Sequence, residues 1–213
     1  MNGKSQGVEV LRGVISRGVF HLFDVVEFLI HTGLQGELAL KDRGHIFFRN
    51  GEIVGARTDG FVGYKALQRL WYEERKMIFS FLVRPEIQDD GLHIRELDLI
   101  HLQESADTYH SMIQIIPLDA QLQRFQEEVV GASDMEQNIL AYLEKVPQPT
   151  VQEILDNFSF PDPDLLRTIR DMVKKNWVEL FRQNQKLEPR RLERFNLLLI
   201  SPKTEWIDAF FDH

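Results

Sequence analysis

The chain has 213 residues and a mass of 25.0 kDa, room for one large or two small domains, and its 43% hydrophobic and 27% charged residues match a globular average and exclude full-length disorder. It has no cysteine, which excludes disulfide scaffolds, zinc ribbons, iron–sulfur clusters and thiol catalysis. No apolar run approaches the roughly 20 residues needed to span a bilayer, and Met1–Gly7 is polar, so the expectation is a soluble, cytoplasmic protein with no membrane insertion.

The net charge of -8 is unevenly spread. Residues 1–102 carry 13 basic and 14 acidic side chains, residues 103–164 carry 2 and 12, and residues 165–194 carry 9 and 4. An acidic block followed by a basic one fits either a nucleic-acid footprint on the basic part or two segments that neutralise each other. For a chain that is acidic as a whole, the second reading comes first.

The first element is a helix, with Leu22, Val25, Val26, Leu29 and Ile30 at the spacing of one buried face and an end near Thr32-Gly33. Three extended runs follow, Glu37 to Lys41, His45 to Arg49 and Ile53 to Arg57, the last two joined by the hairpin dipeptide Asn50-Gly51. They predict a three-stranded antiparallel meander. Gly63 to Glu74 reads as a second amphipathic helix with Ala66, Leu67, Leu70 and Trp71 on one face, and Met77 to Val83 as a strand returning to the sheet. Arg95 to about Met112 is helical, and a connecting stretch runs to Ser133.

Ser133 and Glu136, then Thr150 and Glu153, have capping-box spacing and open two helices. A third, beginning at Pro161-Asp162-Pro163-Asp164, buries Leu165, Leu166, Ile169, Met172 and Val173, and a strand follows from Trp177 to Phe181. Three helices and a strand in this order predict a winged-helix arrangement. Phe195 to His213 reads as strand, turn and helix.

Signatures of catalysis are missing from the sequence. Neither common Gly-rich phosphate loop occurs, no Gly-x-Ser-x-Gly elbow is present, and no two of the seven histidines stand at i, i+4 spacing. The expectation is no catalytic residue, metal or cofactor. The adjacent acids Glu73-Glu74 and Asp89-Asp90 read as solvated turns. One charged constellation stands out: Arg167, Arg170 and Lys174, with Lys175 beside them, share a face of the third helix of the second domain. In a DNA-binding winged helix this face enters the major groove. Asp164 and Asp171 lie on or near the same stripe and oppose that use, so a solvated or partner-binding face is the leading reading.

The first hundred residues carry an ordered set of small, apolar and turn positions. These are Leu11 to Ile15, Phe20-x-Leu22-x-Asp24-Val25-Val26-x-Phe28-Leu29, Gln35-Gly36-x-Leu38, Ile46-x-Phe48-x-Asn50-Gly51-x-Ile53-Val54-x-Ala56, Gly63-x-x-Ala66-Leu67-x-x-Leu70-x-Tyr72 and Phe79-x-Phe81. Over residues 8–102 this resembles the PATAN domain, named after the N-terminal region of the cyanobacterial PatA response regulators. The family usually has glycine before the final Phe-x-Phe strand, where this chain has Glu74-Arg75-Lys76. The resemblance implies a non-catalytic protein-interaction module of bacterial signalling, found alongside receiver domains, Ras-like GTPases and motility or polarity systems. The matched positions specify fold, so the resemblance transfers no binding residue.

The expected organisation is therefore α+β: a PATAN-like domain over 8–102, a helical connector over 103–133, a winged-helix-like domain over 134–194 and a strand–helix tail over 195–213. The expected function is an adaptor that docks a Ras-like GTPase or a response regulator, and the alternative is a transcriptional regulator binding DNA through Arg167, Arg170, Lys174 and Lys175. Phe61, Tyr64, Arg69 and Tyr72, near the second helix, are the partner-binding candidates, because amphipathic aromatics and arginine dominate interface hot spots. Phe61 and Tyr72 read equally well as core residues. A homodimer through a free sheet edge is a further expectation.

Overall fold

The computed structural model describes residues 7–16, 20–73, 75–126, 129–183 and 185–187. The chain divides into two compact units, one running through His110 and including Ser159–Pro163, the other formed by Ser111–Phe158 and the chain from Asp164 onward. The predicted strand and helix of residues 195–213 lie outside the described residues.

The first unit begins with β1 (Val8–Ile15) and α1 (Leu22–Thr32), which closes on Gly33 in the left-handed conformation at φ 63°. Strands β2 (Gly36–Leu40), β3 (Gly44–Arg49) and β4 (Glu52–Thr58) form the predicted meander. Asn50 and Gly51, at φ 52° and 76°, make the turn between β3 and β4, as expected of a two-residue hairpin loop whose positions both need positive φ. A two-residue β5 (Phe61–Val62) precedes α2 (Tyr64–Trp71), which ends three residues earlier than its sequence pattern suggests. Strand β6 (Met77–Val83) has the predicted limits, and α3 spans Glu96–Ile115.

The six strands pair antiparallel in the order β1-β6-β2-β3-β4-β5. Their registers place Leu38, Leu40, Ile46, Phe48, Ile53, Ala56, Phe79 and Phe81 inside, all buried. Val25, Val26 and Leu29 of α1, Ala66, Leu67 and Leu70 of α2, and Leu99, Leu102 and Ala106 of α3 complete this core. Phe48 and Phe81 meet edge to face at 5.9 Å between ring centroids. The opposite face of the sheet is polar at its centre. There the two Glu37 carboxylate oxygens meet His45 Nδ1 at 2.6 Å and Arg84 Nε at 2.7 Å. Arg57 pairs with Asp90 at 3.1 Å, and the Asp90 backbone N–H donates to the Val54 carbonyl at 2.9 Å. Asp90 is thus a buried carboxylate held by arginine, a correction to its reading as a solvated turn acid.

In the second unit, β7 (Gln121–Arg124) stands in what the sequence presents as a connecting stretch. Helices α4 (Asp134–Lys145) and α5 (Val151–Asn157) both start with the predicted capping boxes. The backbone N–H groups of Ser133 and Thr150 donate to the carboxylates of Glu136 and Glu153, each at 2.7 Å. Helix α6 (Asp162–Lys174), which counts with this unit from Asp164 onward, buries the five predicted apolar residues. Strands β8 (Val178–Arg182) and β9 (Gln185–Lys186) join β7 in a three-stranded antiparallel sheet ordered β7-β8-β9. The fold is α+β: an antiparallel sheet packed with helices, then a mostly helical unit with a small β-sheet wing.

Replacing Phe81 by alanine is expected to cost about 3–5 kcal/mol, read as a lowered denaturant midpoint. On the polar face, the His45 hydrogen bond and the Arg84 guanidinium outweigh partial burial and hold the Glu37 carboxyl below its ordinary value of 4.5. A carboxyl held low in the folded state adds stability that is present above its unfolded pKa and lost as pH falls through the folded value. Glu37→Gln should therefore narrow the difference in stability between about pH 6 and about pH 3, measured by denaturation at each pH.

Candidate functional site

The partner-binding candidates fall into three environments. Gly63, at φ 73°, turns the chain from β5 into α2, and its N–H donates to the Ala56 carbonyl at 2.9 Å. This turn sets Phe61 beneath two cations of α2, with Lys65 Nζ 5.2 Å and the Arg69 guanidinium 5.1 Å from its ring centroid. Arg69 is itself fixed by Asp162, in the Ser159–Pro163 segment of the same unit, with Nε 2.5 Å from Oδ2 and Nη2 3.2 Å from Oδ1. Lys65 Nζ adds a contact to Asp162 Oδ1 at 3.4 Å. The Asp162 side chain is only 1% exposed, and burial pushes its carboxyl above its ordinary value against the pull of Arg69 and Lys65.

Tyr64, at the start of α2, is 40% exposed beside exposed Val62. Tyr72 is different: it is 6% exposed, stacks on Tyr109 with ring centroids 4.3 Å apart, and shares a 3.0 Å hydrogen bond with the Ser105 hydroxyl. Burial raises the Tyr72 phenol well above its ordinary value. Tyr72 therefore belongs to the core, Tyr64 is exposed, and Phe61 and Arg69 are partly buried. An aromatic–cation cluster of this kind offers a rigid amphipathic surface with its charges already placed.

Arg167, Arg170 and Lys174 stand on α6 with Lys175 just past its end, and three of these charges are answered locally. Arg167 Nη1 lies 3.1 Å from Asp164 Oδ1, Arg170 Nη2 lies 2.9 Å from Asp171 Oδ1, and Lys175 Nζ lies 2.7 Å from Glu136 Oε1. Lys175 also covers the Trp177 ring at 4.3 Å. Burial pushes the Glu136 carboxyl up, but the hydrogen bonds from Lys175 and the Ser133 backbone N–H prevail and hold it below its ordinary value. Lys174 is exposed. It lines an open concavity of about 410 Å³ together with Ser133, Glu136, Thr168, Asp171 and Lys175. Four cations here face three carboxylates, so the surface presents mixed charge.

One exposed apolar feature escapes the sequence reading. Strand β1 lies at the edge of the six-stranded sheet and carries Val8, Val10 and Val14 at 66%, 52% and 42% exposure, with exposed Ile78 of β6 beside Val14. The signal was available in Val8-Glu9-Val10, but a strand with glycine and arginine in its second half does not stand out from a polar N-terminus.

Among the described residues no group of three or more His, Asp or Glu side chains is placed to hold a metal ion. No helix among them is long and apolar enough to cross a membrane. Compared with known proteins, the chain matches no family model, no curated protein and no solved structure.

The two charged groups should respond differently to truncation. Asp162→Ala leaves Arg69 and Lys65 without their buried counter-charge and is expected to cost about 3–5 kcal/mol in a denaturant titration. Arg167→Ala removes an exposed ion pair and should change stability by no more than about 1 kcal/mol in the same assay.

Proposed function

We propose that the chain is a non-catalytic bacterial signalling adaptor. Its first unit acts as a PATAN-like module that docks a Ras-like GTPase or a response regulator, and its second as a winged-helix-like interaction module. The order of elements in the first unit supports this reading. The helix, the meander closed by Asn50-Gly51, the glycine-led second helix and the Phe79-x-Phe81 strand follow the pattern of the PATAN resemblance in sequence order. Phe61, Tyr64 and Arg69 are the residues assigned to the partner.

One observation carries the preference for protein over nucleic acid: Arg167, Arg170 and Lys175 are each paired with a carboxylate of the same unit. Binding a phosphate backbone draws its free energy from cations that replace condensed counterions. Cations already neutralised by neighbouring acids replace few of them, and the acids repel phosphate.

Affinity capture of the tagged full chain from its native cell lysate, with and without nuclease and read by mass spectrometry, is the test. The expected outcome is a GTPase or response regulator whose recovery is unaffected by nuclease. Recovery dominated by nuclease-sensitive nucleic acid overturns the reading and makes Arg167, Arg170, Lys174 and Lys175 the site of a DNA-binding regulator. With the captured partner purified, Tyr64→Ala should weaken binding about tenfold or more. Replacing both Arg167 and Arg170 by alanine should leave it unchanged.

A further inference from the structure

We infer that β1 is a self-association edge, at which a second copy of this chain adds its own β1 antiparallel and joins the two sheets into one. Three observations lead there. The two edges of the sheet are unequal, since β5 has two residues and β1 has eight. A long edge strand presents a row of backbone donors and acceptors to any strand of matching register. Among the described residues β6 is the only strand that pairs with β1. Val8, Val10 and Val14 are exposed along this edge, so it carries apolar as well as charged side chains.

The third observation selects the occupant. Opposite Leu82, Phe81 and Ser80 of β6 stand Glu9, Leu11 and Arg12, so Val10 is an extra residue, a β-bulge. Residues 9 and 12 of a regular strand would point to opposite faces. The bulge brings Glu9 and Arg12 to the same face, two β6 residues apart, or roughly 6.7 Å along the strand. Both are exposed. A two-fold axis midway between them then sets Glu9 of each copy directly across from Arg12 of the other, twice per dimer. The same register brings Val8 of one copy opposite Gly13 of the other. Gly13 has no side chain of its own, and the Phe79 ring already fills the position a Cβ there would take.

The strand is therefore complementary to itself in charge. Cross-strand pairs of opposite charge are favourable and like charges directly opposite are unfavourable, so the register is selected as well as tolerated. The contact is small, and its dissociation constant is expected at about 10–100 μM, in the range of weak interfaces.

Sedimentation equilibrium of the full chain, over about 1–500 μM, tests this. The wild-type chain should pass from monomer to dimer. Arg12→Glu alone and Glu9→Arg alone each create two repulsive pairs and should raise the dissociation constant at least about tenfold. An equimolar mixture of the two variants should associate again, because in the mixed dimer both acidic side chains of one chain face both basic side chains of the other. The double variant E9R/R12E should dimerise as the wild type does. Both positions are exposed, and unchanged circular dichroism confirms that the variants are folded. A wild-type chain that stays monomeric throughout overturns the proposal, as does a dimer indifferent to the single substitutions or a mixture that remains monomeric.

Discussion

The insertion of β6 between β1 and β2 is the constraint on which the first unit rests. The chain builds α1, the meander and α2 before the strand that holds β1 to the rest of the sheet arrives. Phe81 then stands between Leu11 of β1 and Leu38 of β2, against the ring of Phe48. Two glycines make room for it. A Cβ on Gly36 would strike the Leu82 carbonyl oxygen, and one on Gly13 would strike Phe79. Glycine on both flanking strands is what lets a strand carrying Phe79 and Phe81 fit tightly between them. Because these pairings join residues about seventy positions apart on the β1 side and about forty on the β2 side, the sheet depends on contacts of high sequence separation, which form late and at an entropic cost.

Where local chemistry decides the structure, the sequence was sufficient. Asn50-Gly51 specified its hairpin through two positions that need positive φ, and Ser133–Glu136 and Thr150–Glu153 specified two helix starts through reciprocal hydrogen bonds. Strand β7 had no such signature. It is Gln-Leu-Gln-Arg, with Leu122 alone buried, and it becomes a strand only because β8 pairs with it. The surface of α2 was harder to read for a related reason. Lys65 and Gln68 are buried alongside Ala66, Leu67, Leu70 and Trp71, so most of the helix circumference is enclosed and periodicity does not reveal an outer face. The helix also stops at Trp71, and Tyr72 turns inward to Tyr109 and Ser105, contacts supplied by a helix some thirty residues further on.

Charge asymmetry along the chain resolves into local pairs within the second unit. The acidic stretch contributes Asp119, Glu136 and Asp164, and the basic stretch answers with Arg182, Lys175 and Arg167. The exposed pairs among them, Arg182–Asp119 and Arg167–Asp164, contribute little to stability. Their effect is on the field outside the molecule, because alternating charges at a few ångströms cancel within a Debye length of about 8 Å at physiological salt. A basic run in sequence is then not a basic patch in space.

The same residue types behave differently around Asp162. There a single carboxylate, removed from water, is held by Arg69 and Lys65, and both cations also lie over Phe61. A buried carboxylate demands its counter-ions, so the two side chains that would otherwise be the most mobile on α2 are restricted before any partner arrives. Ordering a long cationic side chain at an interface costs about 0.5–1.5 kcal/mol, and here the fold has already met that cost. Tyr64, an exposed aromatic with few rotamers, opens the same helix. The buried Asp162 carboxylate thus contributes to the proposed docking surface by fixing the positions of Arg69 and Lys65 over Phe61.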